Sequence, residues 1–387
     1  MKQTDPRRKR GITRDGKKAG RDTSMGLCSI LKHERTRLKV RHAFVMMLCA
    51  IPLMSLSAGC VQVAEPLREG RTHTLQDGFR NTNPAFAPPS LWERLMFLPL
   101  RTWTTTFHTR TAHLPRVGND GSALKNNRTD ATVTWVGHST LLIQLDGVTI
   151  LTDPQWSERA SPVTFAGPKR LMSPGVSFEQ LPTVDLVVIS HDHYDHLDVD
   201  TVQRLARTHH PLFLVPLGLK AWFADIGITE VEEMDWWESR QVRGLTVTCL
   251  PAQHFSGRSL WDRNRRLWSA WALAGGTKRI FFAGDTGYYP VFKEIGVRLG
   301  PFDLAAIPIG AYSPASMMKM THITPEEALQ VFADVQGQYF VAMHWGTFAR
   351  TEEAIEEPPL RLEAEANRLG LDPSRVWVLK HGETRGW

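Results

Sequence analysis

The chain has 387 residues, of which 42% are hydrophobic and 22% are charged. This composition provides for a large core and excludes disordered and fibrous proteins. The formal net charge of +6 is unevenly distributed along the chain. Residues 1–60 carry 14 Lys and Arg and 4 Asp and Glu, so residues 61–387 carry the remaining 32 Lys and Arg and 36 Asp and Glu. Because the body of the chain is slightly acidic, we expect no nucleic-acid partner.

Residues 1–60 have the order of a secretory signal, with basic residues ahead of an apolar run at 43–58. That run is shorter than the ~20 apolar residues of a membrane-spanning helix. The sequence LSAGC at its end resembles a bacterial lipobox, with the leucine one place further from the cysteine than is usual. We therefore expect a signal peptide, lipidation at Cys60, and a membrane-anchored lipoprotein of the bacterial cell envelope that faces the periplasm. An uncleaved anchor, a soluble protein with a misread start, and initiation at Met25 remain alternatives.

Residues 61–130 are rich in Pro, Asn, Thr and Arg and predict a linker with an N-terminal docking segment, in which Leu91–Leu98 is an apolar, helical stretch. From residue 131 the pattern changes to short β runs, so we predict the hydrolase domain over 131–387. The predicted strands are 132–137, 140–153 with a hairpin turn at Asp146-Gly147, 184–190, 211–216, 245–252, 269–274, 279–285, 304–310 and 339–346. The predicted helices are 199–207, 218–226 and 324–334, the last with Thr324 as its N-cap.

Polar side chains recur where these β runs end. His191 follows the run at 184–190, and His254, Asp285 and His344 each follow a later run. Strand ends along one edge of a sheet lie close in space, and such positions commonly carry function. We therefore expect these four side chains to converge on one site.

The stretch SHDHYDHLD at 190–198 adds further candidates to that site. His191, His193 and Asp195 alternate, so an extended backbone would direct all three to one side and His196 to the other. Two of these imidazoles with one distant imidazole would make one metal site, and the Asp-His pair with another distant imidazole would make a second. Histidine and carboxylate ligands suit zinc, and two zinc ions ~3.5–4 Å apart catalyse displacements at phosphorus or carbon.

The spacing of these four residues, His-x-His-x-Asp-His, resembles the signature of the metallo-β-lactamase fold superfamily. Further segments, in order over residues 78–385, resemble the N-acylphosphatidylethanolamine-hydrolysing phospholipase D family. The segments are HDHYDHLD, GPKR, VPLGL, DWWE, RRLWSAW, FFAGDTGYY, GPFDLAAIPIGAY, HITPEEAL, MHWGTF and LKHGE. The resemblance implies an α/β fold, the αββα four-layer β-sandwich of the metallo-β-lactamases, as a single catalytic domain behind an N-terminal signal or extension.

The resemblance also implies two Zn²⁺ ions and a phosphoric diester hydrolase of phospholipase D type. The implied ligands are His191, His193 and His254 for the first ion, Asp195, His196 and His344 for the second, and Asp285 as a bridge. Asp153 would orient a metal ligand without binding an ion itself, and His322 would lie near the substrate phosphate. The expected reaction converts N-acylphosphatidylethanolamine to phosphatidic acid and N-acylethanolamine through a hydroxide that both ions share, with Asp285 and His322 as catalytic residues.

The expected partners are a phospholipid substrate, the membrane surface reached through Cys60, and a second copy of the chain in a homodimer. Residues 313–318 and Thr321 depart from the family's pattern beside the expected substrate mouth, so the head-group and acyl-chain preferences stay open. The alternatives are another hydrolase of the same fold, a lactonase or a generic phosphodiesterase, and a non-catalytic envelope lipoprotein. A zinc β-lactamase is disfavoured because Cys249 is wrongly placed to be a ligand.

Overall fold

The computed structural model describes residues 73–107 and 114–387, which fall within one compact unit, Leu67–Trp387. The predicted signal peptide and Cys60 lie outside the described residues. The division of the chain at residues 60 and 130 therefore stays a prediction. Among the described residues, no helix has both the length and the apolar content that crossing a bilayer requires.

Two sheets are built in chain order after a short hairpin. The hairpin strands, β1 (Thr74–Leu75) and β2 (Gly78–Phe79), pair only with each other. The first large sheet contains β3 (Thr132–Gly137), β4 (Thr140–Leu145), β5 (Val148–Thr152), β6 (Leu186–Val188), β7 (Leu212–Pro216) and β8 (Val231–Met234). Strands β3 to β5 are antiparallel, and β5 to β8 are parallel. The β4–β5 turn is the predicted Asp146-Gly147 hairpin turn, since both residues have positive φ, 49° and 80°.

The second sheet repeats this arrangement. Its strands are β9 (Ser239–Val242), β10 (Leu245–Leu250), β11 (Ala270–Ala274), β12 (Arg279–Phe282), β13 (Phe302–Pro308), β14 (Gly337–Met343) and β15 (Val376–Trp377). Strands β9 to β12 are antiparallel, and β12 to β15 are parallel. The last strand, β16 (Thr384–Gly386), returns to the first sheet and pairs antiparallel with β3.

Helices connect the strands and cover both outer faces. They are α1 (Leu91–Phe107), α2 (Ser122–Asn126), α3 (Val199–Thr208), α4 (Lys220–Asp225), α5 (Val291–Leu299), α6 (Ala315–Met318), α7 (Pro325–Asp334) and α8 (Glu357–Arg368). Helix α7 has the predicted N-cap: the Glu327 N–H donates to Thr324 Oγ1 at 3.2 Å, and the Thr324 N–H donates to Glu327 Oε2 at 2.9 Å.

The core has two layers of apolar contacts. Trp135 on β3 and Trp271 on β11, both fully buried, belong to the layer between the two sheets, and the same cluster extends to Phe332 of α7 behind the second sheet. Val187 of β6 faces the other way and packs with Val202 of α3. The order of layers is therefore helix, sheet, sheet, helix, which confirms the predicted αββα sandwich.

Several elements were not predicted, for one physical reason. Strands β8 (VEEM) and β9 (SRQV) are the edge strands of their sheets, and their exposed positions carry polar residues that hide the alternating apolar pattern. Helix α8 is likewise a surface helix with few buried residues. Helix α1 continues to Phe107, past the predicted end at Leu98, although Pro99 removes one backbone donor inside it.

Candidate metal centre

The loops that follow four strands meet at one edge of the sandwich, where the sheets face each other. They carry the seven predicted ligands, which are His191, His193, Asp195 and His196 after β6, His254 after β10, Asp285 after β12 and His344 after β14. Six of the seven are buried and His193 is half-buried. Convergence of strand ends therefore brings together side chains that are far apart in the sequence.

The loop after β6 does not follow the predicted course throughout. We expected an extended backbone from His191 to Asp195, and this expectation is wrong beyond His193. The N–H groups of His196 and Leu197 both donate to the His193 carbonyl, at 3.0 and 2.8 Å, and close a turn. The turn brings Asp195 and His196 to the same place, with Oδ2 and Nε2 3.3 Å apart, instead of on opposite sides.

Three imidazoles form a first group. His193 Nδ1 lies 2.8 Å from His191 Nε2 and 3.3 Å from His254 Nε2. The remaining ring nitrogen of His254, Nδ1, lies 2.9 Å from the Thr321 carbonyl oxygen and so fixes the ring's orientation. Three convergent imidazole nitrogens are a donor set that catalytic zinc sites use, with a further position left open for water or substrate.

A second group lies beside the first and includes a carboxylate. Asp195 Oδ2 is 3.3 Å from His196 Nε2 and 3.6 Å from His344 Nε2. These atoms lie within 4.8 Å of one another, together with a ring nitrogen of His138. An Asp and two or three histidines at this spacing also suit a divalent transition metal.

Asp285 lies between the two groups. Its Oδ2 is 3.1 Å from His344 Nε2 and 3.2 Å from His196 Nε2 on one side. On the other side it is 3.9 Å from His191 Nε2 and 3.8 Å from His254 Nε2. One carboxylate oxygen thus reaches ligand atoms of both groups, which is the geometry that a bridging ligand needs.

The donor atoms fit divalent cations. Asp195 Oδ1, Asp285 Oδ1, His196 Nε2 and His344 Nε2 are buried, and none has a hydrogen-bond partner within the part of the chain that the structure describes. Buried polar atoms without partners are costly, and coordination to a cation removes that cost.

The pKa shifts of His191, His193 and Asp285 fit cations as well, whereas at His196 burial lowers the pKa but the Asp285 and Asp153 carboxylates outweigh burial and raise the pKa to about 10, so a cation that binds there displaces a proton. Burial, reinforced by neighbouring imidazoles, holds the pKa of His191 and of His193 well below the ordinary value, so both rings are neutral and keep a free lone pair. Burial raises the pKa of Asp285, but the imidazoles of His196 and His344 outweigh burial and hold it well below the ordinary value. Asp285 is therefore an ionised carboxylate.

The two supporting residues that the sequence predicted also lie at this site. Asp153 Oδ2 is 2.7 Å from His196 Nδ1, and Asp153 Oδ1 accepts the Ser190 N–H at 2.6 Å, so the carboxylate orients the His196 ring. His322 Nδ1 lies 3.8 Å from Asp285 Oδ2.

Sequence reasoning missed two residues of this centre. His138 directly follows β3, and its Nε2 lies 2.8 Å from Asp195 Oδ2. The strand-end pattern that marked the other ligands holds for His138 too, so that pattern would have found it. The Arg350 guanidinium also contacts Asp195 Oδ2. Nothing in the sequence near Arg350 distinguishes it from an ordinary surface arginine.

Left-handed backbone conformations occur at three residues of the centre. His138, Asp153 and His344 have φ values of 53°, 37° and 60°. Such values are uncommon outside glycine and concentrate at functional sites, where the surrounding structure stabilises them. Here each residue turns the chain sharply at the end of a strand and directs its side chain into the site.

Known proteins are similar to this chain in sequence and in fold. The profile of the beta-lactamase superfamily domain matches residues 148–345. The N-acyl-phosphatidylethanolamine-hydrolyzing phospholipase D 1 of Caenorhabditis elegans is 48% identical over 59% of this chain and 68% of its own length. The mitochondrial N-acyl-phosphatidylethanolamine-hydrolyzing phospholipase D of Saccharomyces cerevisiae is 37% identical over 65% of this chain and 55% of its own length. Igni18, a metallo hydrolase from Ignicoccus hospitalis, has a similar fold, with a TM-score of 0.52 and 24% identity over 67% of this chain and 99% of its own.

Proposed function

The chain belongs to the N-acylphosphatidylethanolamine-hydrolysing phospholipase D family of the beta-lactamase superfamily, and on this premise we propose that it hydrolyses N-acylphosphatidylethanolamine. The coarser activity, a metal-dependent hydrolase, follows from the family and from the clustered ligands. The proposed reaction adds water across the phosphodiester. The P–O bond on the ethanolamine side breaks, and the products are phosphatidic acid and N-acylethanolamine.

The observation that carries the proposal is the position of Asp285 Oδ2 between two groups of ligand atoms. A single structural metal needs one closed set of four ligands, whereas this arrangement offers two incomplete sets that share one oxygen. Zinc is the proposed metal because imidazole nitrogens dominate both sets. The proposed cofactor is therefore a pair of Zn²⁺ ions.

When bound, the pair supplies Lewis-acid stabilisation of a phosphoryl oxygen and an acidified water at neutral pH. The chain's own residues hold the geometry for that chemistry. The ionised Asp285 fixes the distance between the two ligand groups, and Asp153 keeps His196 in one orientation. Water attacks phosphorus in line with the ethanolamine oxygen, which leaves with a proton.

His322 has the position to bind the phosphoryl group. Burial holds its pKa well below the ordinary value, so the ring is neutral near pH 7. Its Nδ1 has no hydrogen-bond partner among the described residues. A neutral imidazole carries one N–H, and in the proposed complex it donates this N–H to a phosphate oxygen beside Asp285.

The envelope location is a proposal from the sequence. The leader pattern and LSAGC at 56–60 favour a lipoprotein held to a bacterial membrane through Cys60 and facing the periplasm. A phospholipid substrate and a membrane surface would then be the immediate partners of the enzyme.

The test is turnover by purified protein that has been stripped of metal and reloaded with zinc. N-acylphosphatidylethanolamine in detergent micelles is compared with a panel of lactones and with bis(p-nitrophenyl) phosphate, and the products are identified by mass spectrometry. Zinc-dependent release of N-acylethanolamine and phosphatidic acid is the expected result. Hydrolysis of a lactone without the phospholipid would replace the proposal with another activity of the fold, and the absence of any metal-dependent turnover would indicate a structural site.

A further inference from the structure

Residues 73–83, which contain the hairpin of β1 and β2, approach the metal centre, and we call this segment the strap. The two strands pair with each other, and the Arg80 N–H closes the hairpin by donating to the His73 carbonyl oxygen at 2.9 Å. The strap reaches a metal ligand, His254, that lies 173 residues beyond Asn81 in the sequence. The contacts of the strap are therefore tertiary, and no local sequence pattern predicts them.

Two buried residues anchor the strap. His73 Nε2 lies 2.7 Å from Asp235 Oδ1, and the His73 ring packs against Trp236 with 4.4 Å between centroids. Phe79 is buried in the larger apolar core, and its N–H donates to the Asn264 carbonyl oxygen at 2.8 Å. Because the hairpin is fixed at both ends, the residues that directly follow it are held in defined positions.

Gly78 allows the strap to approach this closely. Its φ is 150°, and a Cβ at this position would lie 2.3 Å from the Asn264 carbonyl oxygen. The Asn264 N–H donates to the Ser256 carbonyl oxygen at 3.0 Å, two residues beyond His254. The backbone of the strap is thus connected to the loop after β10 that carries this ligand.

The carboxamide of Asn81 pairs with the backbone of His254. Asn81 Nδ2 donates to the His254 carbonyl oxygen at 2.8 Å, and the His254 N–H donates to Asn81 Oδ1 at 3.1 Å. A carboxamide has both a donor and an acceptor, so it can satisfy both backbone groups of one residue. Because His254 lies in a loop and not in a strand, Asn81 supplies the pair of hydrogen bonds that a neighbouring strand would otherwise give.

A second asparagine connects the strap to the ring of the same ligand. Asn83 Nδ2 donates to Gln253 Oε1 at 2.6 Å, and Gln253 Nε2 donates to the Met320 carbonyl oxygen at 2.9 Å. The carbonyl oxygen of the next residue, Thr321, lies 2.9 Å from His254 Nδ1. The strap therefore contacts the backbone of His254 directly and supports the loop that orients its ring.

We propose that Asn81 is a positioning residue of the metal centre, which fixes His254 so that its ring nitrogen converges with those of His191 and His193 on one ion. Residues that orient a metal ligand contribute strongly to metal affinity. The first group of ligands then depends on a segment that precedes the matched superfamily domain, residues 148–345. The inference rests on the proposed function for the pair of zinc ions.

The competing explanation is that Asn81 only fills space between the strap and the loop after β10. An apolar side chain of the same size would serve that purpose equally well, whereas positioning of His254 needs both hydrogen bonds. Leucine is close to asparagine in size and shape but has neither a donor nor an acceptor in its side chain. Asn81→Leu therefore separates the two explanations.

Asn119 offers a matched control. It is half-buried, as Asn81 is. Its Nδ2 donates to the Gly382 carbonyl oxygen at 2.9 Å, and its Oδ1 accepts the Gly121 N–H at 3.0 Å. It makes the same two kinds of hydrogen bond to the backbone, but neither Gly121 nor Gly382 belongs to the metal centre. Asn119→Leu therefore reports the general effect of losing such an asparagine.

The first experiment titrates the metal-free, full-length protein with zinc against a chelator of known affinity, which resolves the two binding steps. We expect Asn81→Leu to weaken one step at least about tenfold and to leave the other unchanged. Asn83→Ala weakens the same step by a smaller factor, because it acts through Gln253. Asn119→Leu keeps both steps of the parent. The Tm of each metal-free protein establishes that the variant is folded.

The second experiment replaces zinc by cobalt(II), whose visible absorption depends on the number and the geometry of its ligands. We expect the cobalt spectrum of Asn81→Leu to differ from that of the parent, while the spectrum of Asn119→Leu matches it. A space-filling or purely structural role of Asn81 would leave the spectrum unchanged.

Three results overturn the inference, and they differ in what else they exclude. Parental affinity in both steps for Asn81→Leu, with two zinc ions bound, overturns the positioning role alone. Equal weakening of both steps overturns it as well, because that result indicates a general loss of stability. If the parent protein itself binds no zinc, the proposed pair of ions fails together with the inference. Should Asn81→Leu not fold, Asn83→Ala still decides, since parental zinc affinity in that variant contradicts the role of the strap.

Discussion

Asp285 is the residue on which both ligand groups depend, because its Oδ2 lies within 3.9 Å of ligand nitrogens on each side. Asp285→Asn keeps the size of the side chain and removes its charge. We expect kcat/KM to fall at least about 100-fold and bound zinc to fall below two ions per chain. Steady-state kinetics and elemental analysis of the same preparation measure both quantities.

Asp200→Asn is the matched control for that variant. Asp200 is an exposed carboxylate in the first turn of α3, close in sequence to the ligand-rich loop and outside the centre. The Asp200→Asn protein should retain the kinetics and the zinc content of the parent protein. An Asp285→Asn protein with full zinc content and parental turnover would remove Asp285 from the bridging position.

His138 contacts the Asp195 carboxylate, with His138 Nε2 2.8 Å from Asp195 Oδ2. We expect His138→Asn to weaken zinc binding about 10- to 100-fold, because residues that orient a metal ligand have effects of that size. Asparagine tolerates the left-handed backbone that this position requires, φ 53°. Titration of metal-free protein with zinc, with a competing chelator of known affinity, measures the change independently of activity.

His210→Asn is a control for backbone strain, since His210 is exposed and has nearly the same φ, 51°. Parental zinc affinity is expected for this variant. Equal zinc affinity in His138→Asn and the parent would mean that His138 only fills space beside Asp195.

How far sequence predicts this site is clearest at single residues. The strand-end pattern identified His191, His254, Asp285 and His344, because the end of a buried strand is visible as an apolar run that stops. His138 obeys the same pattern, but it is a single histidine in the short turn between β3 and β4, with Gly137 before it and Ser139 after it, so the sequence analysis did not identify it. The contact of Arg350 with Asp195 depends on how a long loop returns to the site, which no local pattern encodes.

At the scale of elements, the loops after β10, β12 and α6 must approach closely to assemble the centre. The Gly287 N–H donates to the Gln253 carbonyl oxygen at 2.8 Å, and a Cβ on Gly287 would lie 2.4 Å from the Met320 carbonyl oxygen and 2.8 Å from Gln253 Nε2. Gly287→Ala therefore forces the three loops apart. We expect kcat to fall at least about tenfold, since misplacement by about 1 Å at a catalytic site has effects of this size or larger.

Gly276→Ala is the control for this element. A Cβ there meets its nearest neighbour, Asp146 Oδ2, at 3.7 Å, which is an ordinary contact. Its kinetics should match the parent. If Gly287→Ala also keeps parental kcat and folds normally, the close approach of the three loops is not required for catalysis.

Prediction of elements succeeded where burial was complete and failed where it was partial. The strands β4, β5 and β6 are buried along their whole length, and each is visible in the sequence as a largely apolar run. Edge strands such as β8 share their pattern with loops, because their exposed positions take polar residues. The orientation of α1 could not be predicted from the sequence either, because its amphipathic pattern does not show which side faces the protein.

At the scale of the whole molecule, the buried ligands couple metal binding to folding. Cations that bind the folded chain and not the unfolded chain stabilise it, by about 2.7 kcal/mol when free metal is 100 times Kd. We therefore expect removal of metal by a chelator to abolish turnover and lower Tm by about 5 °C, with both restored by zinc. Differential scanning calorimetry of loaded, stripped and reloaded protein measures the shift, and the Asp285→Asn protein should show a smaller one. Unchanged Tm and turnover in excess chelator would exclude a metal role.

The central claim is that two metal ions lie on either side of the Asp285 carboxylate. The most direct measurement is a crystal structure of zinc-loaded protein with anomalous diffraction data collected at the zinc absorption edge. We predict two anomalous peaks about 3.5–4 Å apart, one against His191, His193 and His254 and the other against Asp195, His196 and His344. A single peak, or two peaks of which neither contacts Asp285, would contradict the account.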